Sequence, residues 1–530
     1  MPVRKIMKKI ELYDTTLRDG MQAEGVDFSL EDKLAIARRL DELGLDYIEG
    51  GYAGSNTKEM QFFMEASNQG LKNAKIVAFG STRRADSAAE EDASLNAMLA
   101  CKASAGALVG KSWDLHVKDV LGCSLDENLI MCADSVGYLK KHGLEVIFDA
   151  EHFFDGYKDN PEYAVRVLKA AAEAGADILV LCDTNGGSLP HEIEQITQEI
   201  CRQFAPTPIG IHAHNDAGCA TANSIAAVRA GATHLQGTIN GLGERCGNAN
   251  LCEVIPNLSF KLGLETLPPE KMKTLTKVSL FVFETGNLAP ATNMPYVGES
   301  AFAHKGGLHI DAMRKSKRTY EHIAPELIGN ERRFLISELS GKSTILAKLE
   351  KERIAQDKDL ARRILERVQQ LENQGYQFEA ANGSFDLLVK KIMGTYKPAF
   401  EPIKYSTIVE KRITGNIVTE ATVKLKVGEK IEHVVGEGDG PVNALDAALR
   451  KALEGFYPIV KEIQLIDYKV RVVNAGAGTA ARVRVVIQSR DKHAIWGTVG
   501  CSENLIEASW QALSDSFDFR LQKYLARPAD

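Results

Sequence analysis

From Lys9 to about Leu264 short apolar runs alternate with stretches whose apolar residues recur every three or four positions, the pattern of strand and helix units around a parallel sheet. Eight runs read as strands: I-E-L-Y-D ending at Asp14, L-D-Y-I-E-G-G to Gly51, K-I-V-A-F-G to Gly80, A-L-V-G-K-S to Ser112, L-E-V-I-F-D-A-E to Glu151, A-D-I-L-V-L-C-D to Asp183, I-G-I-H-A-H to His214 and H-L-Q-G-T-I-N-G from His234. Between them lie amphipathic helices such as 31–43, which places Leu34, Ala37, Leu40 and Leu43 on one face. Eight such units in about 250 residues predict a (β/α)8 barrel over residues 1–265. The alternative, a doubly wound sheet, would leave its first and last strands apart.

Beyond the barrel the periodicity changes twice. Residues 266–400 are mainly helical, with a Gly-, Pro- and His-bearing loop at 287–311 that contains F-A-H-K-G-G-L-H-I-D, and helical spacing at 343–356 and 360–374. This region is expected to be a helical linker covering the barrel mouth. Residues 401–530 make two similar passes of strands followed by a helix, an α+β pseudo-repeat suited to a regulatory or dimerisation domain.

Composition narrows the function classes. A chain of 530 residues exceeds one core. A net charge of −7 disfavours nucleic-acid and anionic-membrane partners. No run reaches the roughly 18 apolar residues of a membrane span, and the basic start leads straight into a strand, so a cytoplasmic location is expected. Nine scattered cysteines without a C-x-x-C pair read as reduced thiols. Gly110-Lys111-Ser112 and Gly341-Lys342-Ser343 are not phosphate loops, because Ala105 and Ile336 stand where the leading glycine belongs.

The candidate chemistry gathers at the C-terminal strand ends, where such barrels carry their sites. His212 and His214, two apart on a strand, leave one face; they either pack there or chelate a cation. With Asp19 after the first strand and Asn248 after the last, they make a mixed nitrogen and oxygen shell for Mg, Mn, Co or Zn. Arg18, Glu151, Asp183, Thr184 and Glu244 fall at the same end. Cys182-Asp183-Thr184-Asn185 is either a substrate-binding turn or a helix cap.

Three stretches, D-T-T-L-R-D-G (Asp14–Gly20), H-A-H-N-D (from His212) and G-L-G-E-R-C-G-N-A-N-L (Gly241–Leu251), resemble the signatures of the metal-dependent barrel enzymes that condense acyl-CoA with 2-keto acids, the isopropylmalate, homocitrate and citramalate synthases. Y-I-E-G-G-Y-A-G-S-N, G-K-S-W-D-L-H-V and E-T-G-N-L-A-P-A-T-N are most similar to the citramalate branch. The resemblance implies condensation of acetyl-CoA with pyruvate followed by thioester hydrolysis, for isoleucine biosynthesis. A larger acceptor giving isopropylmalate, and hydroxyacyl-CoA cleavage, are the alternatives. It further implies a divalent metal on Asp19, His212, His214 and Asn248, and Arg18 against the keto-acid carbonyl with Thr184 near its carboxylate. Glu151 would pair with Arg18 and assist the base. His309 would deprotonate acetyl-CoA, with Asp311 its neighbour and Tyr320 in the acyl-CoA pocket; His304 competes for the role of His309. Asp149 stands where some relatives carry an aromatic against the pyruvate methyl. A homodimer and an isoleucine-binding C-terminal domain, with the turn Gly476 to Gly478 as candidate pocket, are implied as well.

Overall fold

The computed structural model describes residues 9–336, 344–346, 349, 357–411, 417–473 and 475–526. The lysine and serine of the second phosphate-loop-like triplet, and most of the helix expected over 343–356, lie outside the described residues. Up to Phe302, together with Ile323–Arg332, the described chain forms one compact unit; Ala303–His322 and the residues from Arg333 onward form a second.

The first unit is built on eight parallel strands: β1 Glu11–Asp14, β2 Tyr47–Tyr52, β3 Lys75–Ser81, β4 Ala105–Lys111, β5 Glu145–Glu151, β6 Ile178–Asp183, β7 Ile209–Ala213 and β8 His234–Gly237. They follow one another around a closed barrel, and β1 pairs with β8 in the register Glu11 to His234 through Asp14 to Gly237. Their continuous apolar runs follow from burial on both faces. One set of alternate positions, including Tyr13, Tyr47, Val77, Ala107, Ile147 and Val180, packs the barrel interior. The other set, such as Leu12, Ile48, Phe148 and Ile211, meets the helices. The helix Leu30–Leu43 shows the local logic. Ser29 caps it through a reciprocal hydrogen bond with Asp32, Gly44 ends it in a left-handed conformation, and buried Leu34, Ala37, Leu40 and Leu43 face the sheet. Each fully buried leucine there contributes about 2 kcal/mol.

In the second unit the C-terminal passes are two equivalent motifs of three antiparallel strands and a helix. The strands Glu401–Lys411, Ile417–Val427 and Lys430–Gly438 precede the helix Pro441–Leu453, and Gln464–Val472, Val483–Arg490 and Ile495–Ser502 precede Leu505–Leu525. Strand Glu401–Lys411 was not expected: its positions are exposed or half-buried throughout, so it lacks the alternation that marks a strand. Ala421, Val423 and Leu425 face Ala444, Leu445, Ala448 and Leu449 in the shared core. The outward faces leave Ile408, Val409, Ile431, Val435, Val470 and Val472 exposed.

Candidate metal centre and active site

Successive inward positions on the strands stack as layers. Above Tyr47, two residues up β2, comes Glu49; above Ile147 on β5 comes Asp149; above His234 on β8 comes Gln236; and β7 delivers His212. The layer beneath the barrel mouth is therefore polar and buried, which requires every member to find a partner.

Asp19, His212 and His214 converge there. Asp19 Oδ2 lies 3.2 Å from His212 Nε2 and 3.8 Å from His214 Nε2, and the two imidazole nitrogens are 3.3 Å apart. All three are buried, and they form the one group of potential metal-binding side chains found among the described residues. Asn248 joins through the backbone: it bridges His214 in antiparallel fashion just past the end of β7. Its Nδ2 donates to Leu242 O at 3.2 Å, while its Oδ1 is buried without a partner. An orphaned buried acceptor beside two imidazoles and a carboxylate is the donor set of a divalent cation. Gly247, at φ 87°, lets this loop close, since a Cβ there would sit 2.0 Å from Gly241 O. Neither Cys246 nor Cys252 belongs to the group.

Electrostatics fit the same reading. Burial raises the Asp19 carboxyl, but Arg18 and the two histidines outweigh it and hold Asp19 well below the usual carboxylate range. Burial lowers His212, and the facing Asp19 more than offsets this and raises it. Burial and the neighbouring His212 push His214 down to about 3. A neutral His214 beside an ionised Asp19 is the state a metal needs of those two ligands, and a bound cation would take the place of the proton that Asp19 favours on His212.

Arg18 is held differently from the expectation. Its Nε donates to Glu49 Oε2 at 2.7 Å, its Nη1 lies 3.2 Å from Asp19 Oδ2, and the guanidinium covers the Phe79 ring at 4.1 Å. Glu49 also accepts from Tyr13 OH at 2.7 Å and from the Thr15 hydroxyl. Glu151, expected to pair with Arg18, pairs instead with Lys111, the residue opposite it in the β4–β5 register. Glu49 makes the pairing with Arg18 that was expected of Glu151, because it enters the layer from β2, next to the β1 loop. Its signal was the lone charge in Y-I-E-G-G-Y.

Thr184 Oγ1 accepts from His152 N at 2.8 Å, and Thr184 O accepts from Arg245 at 2.7 Å, so this turn is fixed from two sides. Asp183 turns away toward Asn223, which donates to it at 3.3 Å, and Glu244 is exposed. Trp113 stacks on His116, and the His116 and His152 rings meet at a tilt beside Glu151, 4.2 Å apart; sequence reading missed this group. In the second unit His309 is exposed and stacks on Tyr320 at 4.1 Å, on or next to the helix Gly307–Lys315. Asp311 pairs with Lys315 at 2.8 Å rather than with His309. His304 faces the buried Glu321 carboxylate at 3.5 Å.

Known proteins match over the whole of this architecture. The HMGL-like family model covers residues 9–282, the homocitrate synthase post-HMGL domain-like model 296–376, and the LeuA allosteric (dimerisation) domain model 379–520. The (R)-citramalate synthase of Geobacter sulfurreducens is 52% identical across 98% of this chain and 98% of its own. That of Aquifex aeolicus is 53% identical across 97% of this chain and 98% of its own. The 2-isopropylmalate synthase of Methanocaldococcus jannaschii is 32% identical across 98% and 96%.

Proposed function

This chain belongs to the (R)-citramalate synthase family, with an HMGL-like barrel and a LeuA-type C-terminal domain, and we propose that it condenses acetyl-CoA with pyruvate and hydrolyses the thioester, releasing citramalate and CoA. The observation that carries this reading is the buried convergence of Asp19, His212 and His214, with the unpartnered Asn248 Oδ1 alongside. The greater identity to citramalate synthases further supports pyruvate over a larger acceptor.

Asp19, His212, His214 and Asn248 would hold a divalent cation, which would supply Lewis-acid polarisation of the 2-keto acid. The residues do the rest. Arg18, fixed by Glu49, sets a permanent positive charge where the carbonyl oxygen becomes an alkoxide. Thr184, locked by His152 and Arg245, offers a hydroxyl at the mouth for the keto-acid carboxylate. His309 takes a proton from the acetyl methyl, a task for an imidazole near neutral pH, and its stacking partner Tyr320 shapes the thioester site. Glu151 and Lys111 are a charge pair available to a proton-transfer step at the rim. Water then cleaves the thioester, which makes the condensation irreversible.

The C-terminal domain binds isoleucine and joins two chains into a homodimer; its exposed apolar sheet faces support this last role. The nine free thiols and the absence, among the described residues, of any helix long and apolar enough to cross a membrane support a cytoplasmic location. Release of free thiol from acetyl-CoA, measured with pyruvate, 2-ketobutyrate and 2-ketoisovalerate in turn, tests the proposal. Pyruvate should give the highest kcat/KM, and a preference for 2-ketoisovalerate would reassign the chain to isopropylmalate synthesis.

A further inference from the structure

Behind the candidate ligands runs a chain of three buried side chains on neighbouring and opposite strands. His212 Nδ1 lies 2.8 Å from Gln236 Oε1, and Gln236 Nε2 donates to Asp149 Oδ1 at 3.0 Å. His212, Gln236 and Asp149 are all at least nine-tenths buried, so the amide of Gln236 has these two partners and no solvent to trade them for. A primary amide in such a place can point either way. With its oxygen toward the imidazole it accepts a proton from Nδ1, whereas with its nitrogen toward the imidazole it donates to Nδ1. Asp149 settles the choice. Its Oδ1 accepts from the NH2 end, the one role open to an ionised carboxylate, and this leaves the amide oxygen to face His212.

We propose that Asp149, acting through Gln236, is a positioning residue that fixes His212 as the Nδ1–H tautomer and thereby aims the Nε2 lone pair at the cation. Nε2 is the atom that faces Asp19 and His214. Metal-bound histidines generally donate their second N–H to such a partner, and loss of that partner typically lowers metal affinity by about 10- to 100-fold. Here the partner is an amide, whose polarity is undefined until a second group reads it. The device thus needs two residues where a single carboxylate on β8 would have sufficed. His214 differs: its Nδ1 is buried without a partner, so the tautomer control lies with His212.

This inference rests on the metal reading above, and its test separates the two. The full chain is stripped of metal, and Zn2+ is titrated against a chromophoric chelator, a readout that involves no substrate. Native protein should bind one Zn2+ per chain; no binding at all would sink the metal reading itself. Asp149→Leu, which removes the acceptor, should weaken binding by about 10- to 100-fold. Adding Gln236→Glu to that variant restores an obligate acceptor for Nδ1–H and should recover most of the loss. A merely structural role for Asp149 would not be repaired by a second substitution at position 236. Asp149→Asn is isosteric and keeps an oxygen for the Gln236 amide, so it serves if the leucine variants fail to fold. It should bind within about threefold of native, well short of the loss that follows removal of an outer partner. Native affinity in Asp149→Leu, failure of Gln236→Glu to rescue it, or a tenfold loss in Asp149→Asn would each overturn the proposal.

Discussion

Replacing Glu49 with glutamine removes one buried charge and no volume. In the native protein Glu49 is fully buried and accepts from Tyr13, Thr15 and Arg18, and among the described residues Arg18 has only Asp19 as a second anionic partner, at 3.2 Å. Loss of one member of a buried pair costs about 3–5 kcal/mol, because the other charge stays behind unpaired. Asp19 still compensates Arg18 in part and the amide oxygen still accepts from Nε, so Glu49→Gln belongs at the lower end, about 3 kcal/mol. For a unit of this size that lowers Tm by roughly 5 °C. Arg18 then swings toward Asp19 and away from the keto-acid oxygen, and a misplacement on the order of 1 Å costs about 100-fold in kcat/KM. Glu42→Gln is the control. Its pair with Arg39, at 3.0 Å, is more than half exposed on both sides and is worth about 0.5 kcal/mol or less. Thermal unfolding of the metal-free proteins and thiol release from acetyl-CoA measure the two effects. If Glu49→Gln melts with the Glu42→Gln control and turns over at the native rate, Arg18 is not anchored as described.

Three further outcomes follow from the same geometry. Burial and the nearby Glu49 push Asp149 up to about 7, above its unfolded value. Such a group stabilises the fold at low pH, and that contribution fades as pH rises from about 4 through about 7. Asp149→Asn should therefore match native stability at pH 4 and exceed it by on the order of 2 kcal/mol at pH 8, read from denaturant melts of metal-free protein; a gap that shrinks with pH would contradict the sign. Chelation, or Asn248→Ala, should abolish or sharply reduce turnover, with Mn2+ or Zn2+ restoring the chelated native enzyme but not the variant at equal concentration. Finally, His309→Ala should reduce kcat by about 100- to 10,000-fold with little change in Tm, whereas His304→Ala, which removes one ion-pair partner of Glu321, should mainly destabilise. The reverse pattern would move the base to His304.

The barrel was legible because each strand is a run of apolar residues broken by helical spacing, and the ends of those runs mark where chemistry sits. The H-x-H pair and Asp19 were readable for the same reason: strand parity places two imidazoles on one face, and only closure of the barrel brings a first-strand residue to them. What escaped were partnerships. A carboxylate inside Y-I-E-G-G-Y carries no mark of which arginine it will meet, so Arg18 was matched to Glu151 although Lys111 stands opposite Glu151 in the sheet. Gln236 drew no notice, since an amide within H-L-Q-G gains meaning only beside Asp149 and His212. Strand Glu401–Lys411 went unseen because it has no buried face.

The closure of β1 on β8 sets a condition on when a cation can be gripped. Asp19 leaves the ribosome well before its partners at 212, 214 and 248 exist. A chain cut short, or one whose last strand has docked elsewhere, offers a lone carboxylate or a loose pair of imidazoles and no cage. The fraction of molecules carrying metal would then serve as a count of barrels that have finished shutting, taken at the very spot where the finished ones work.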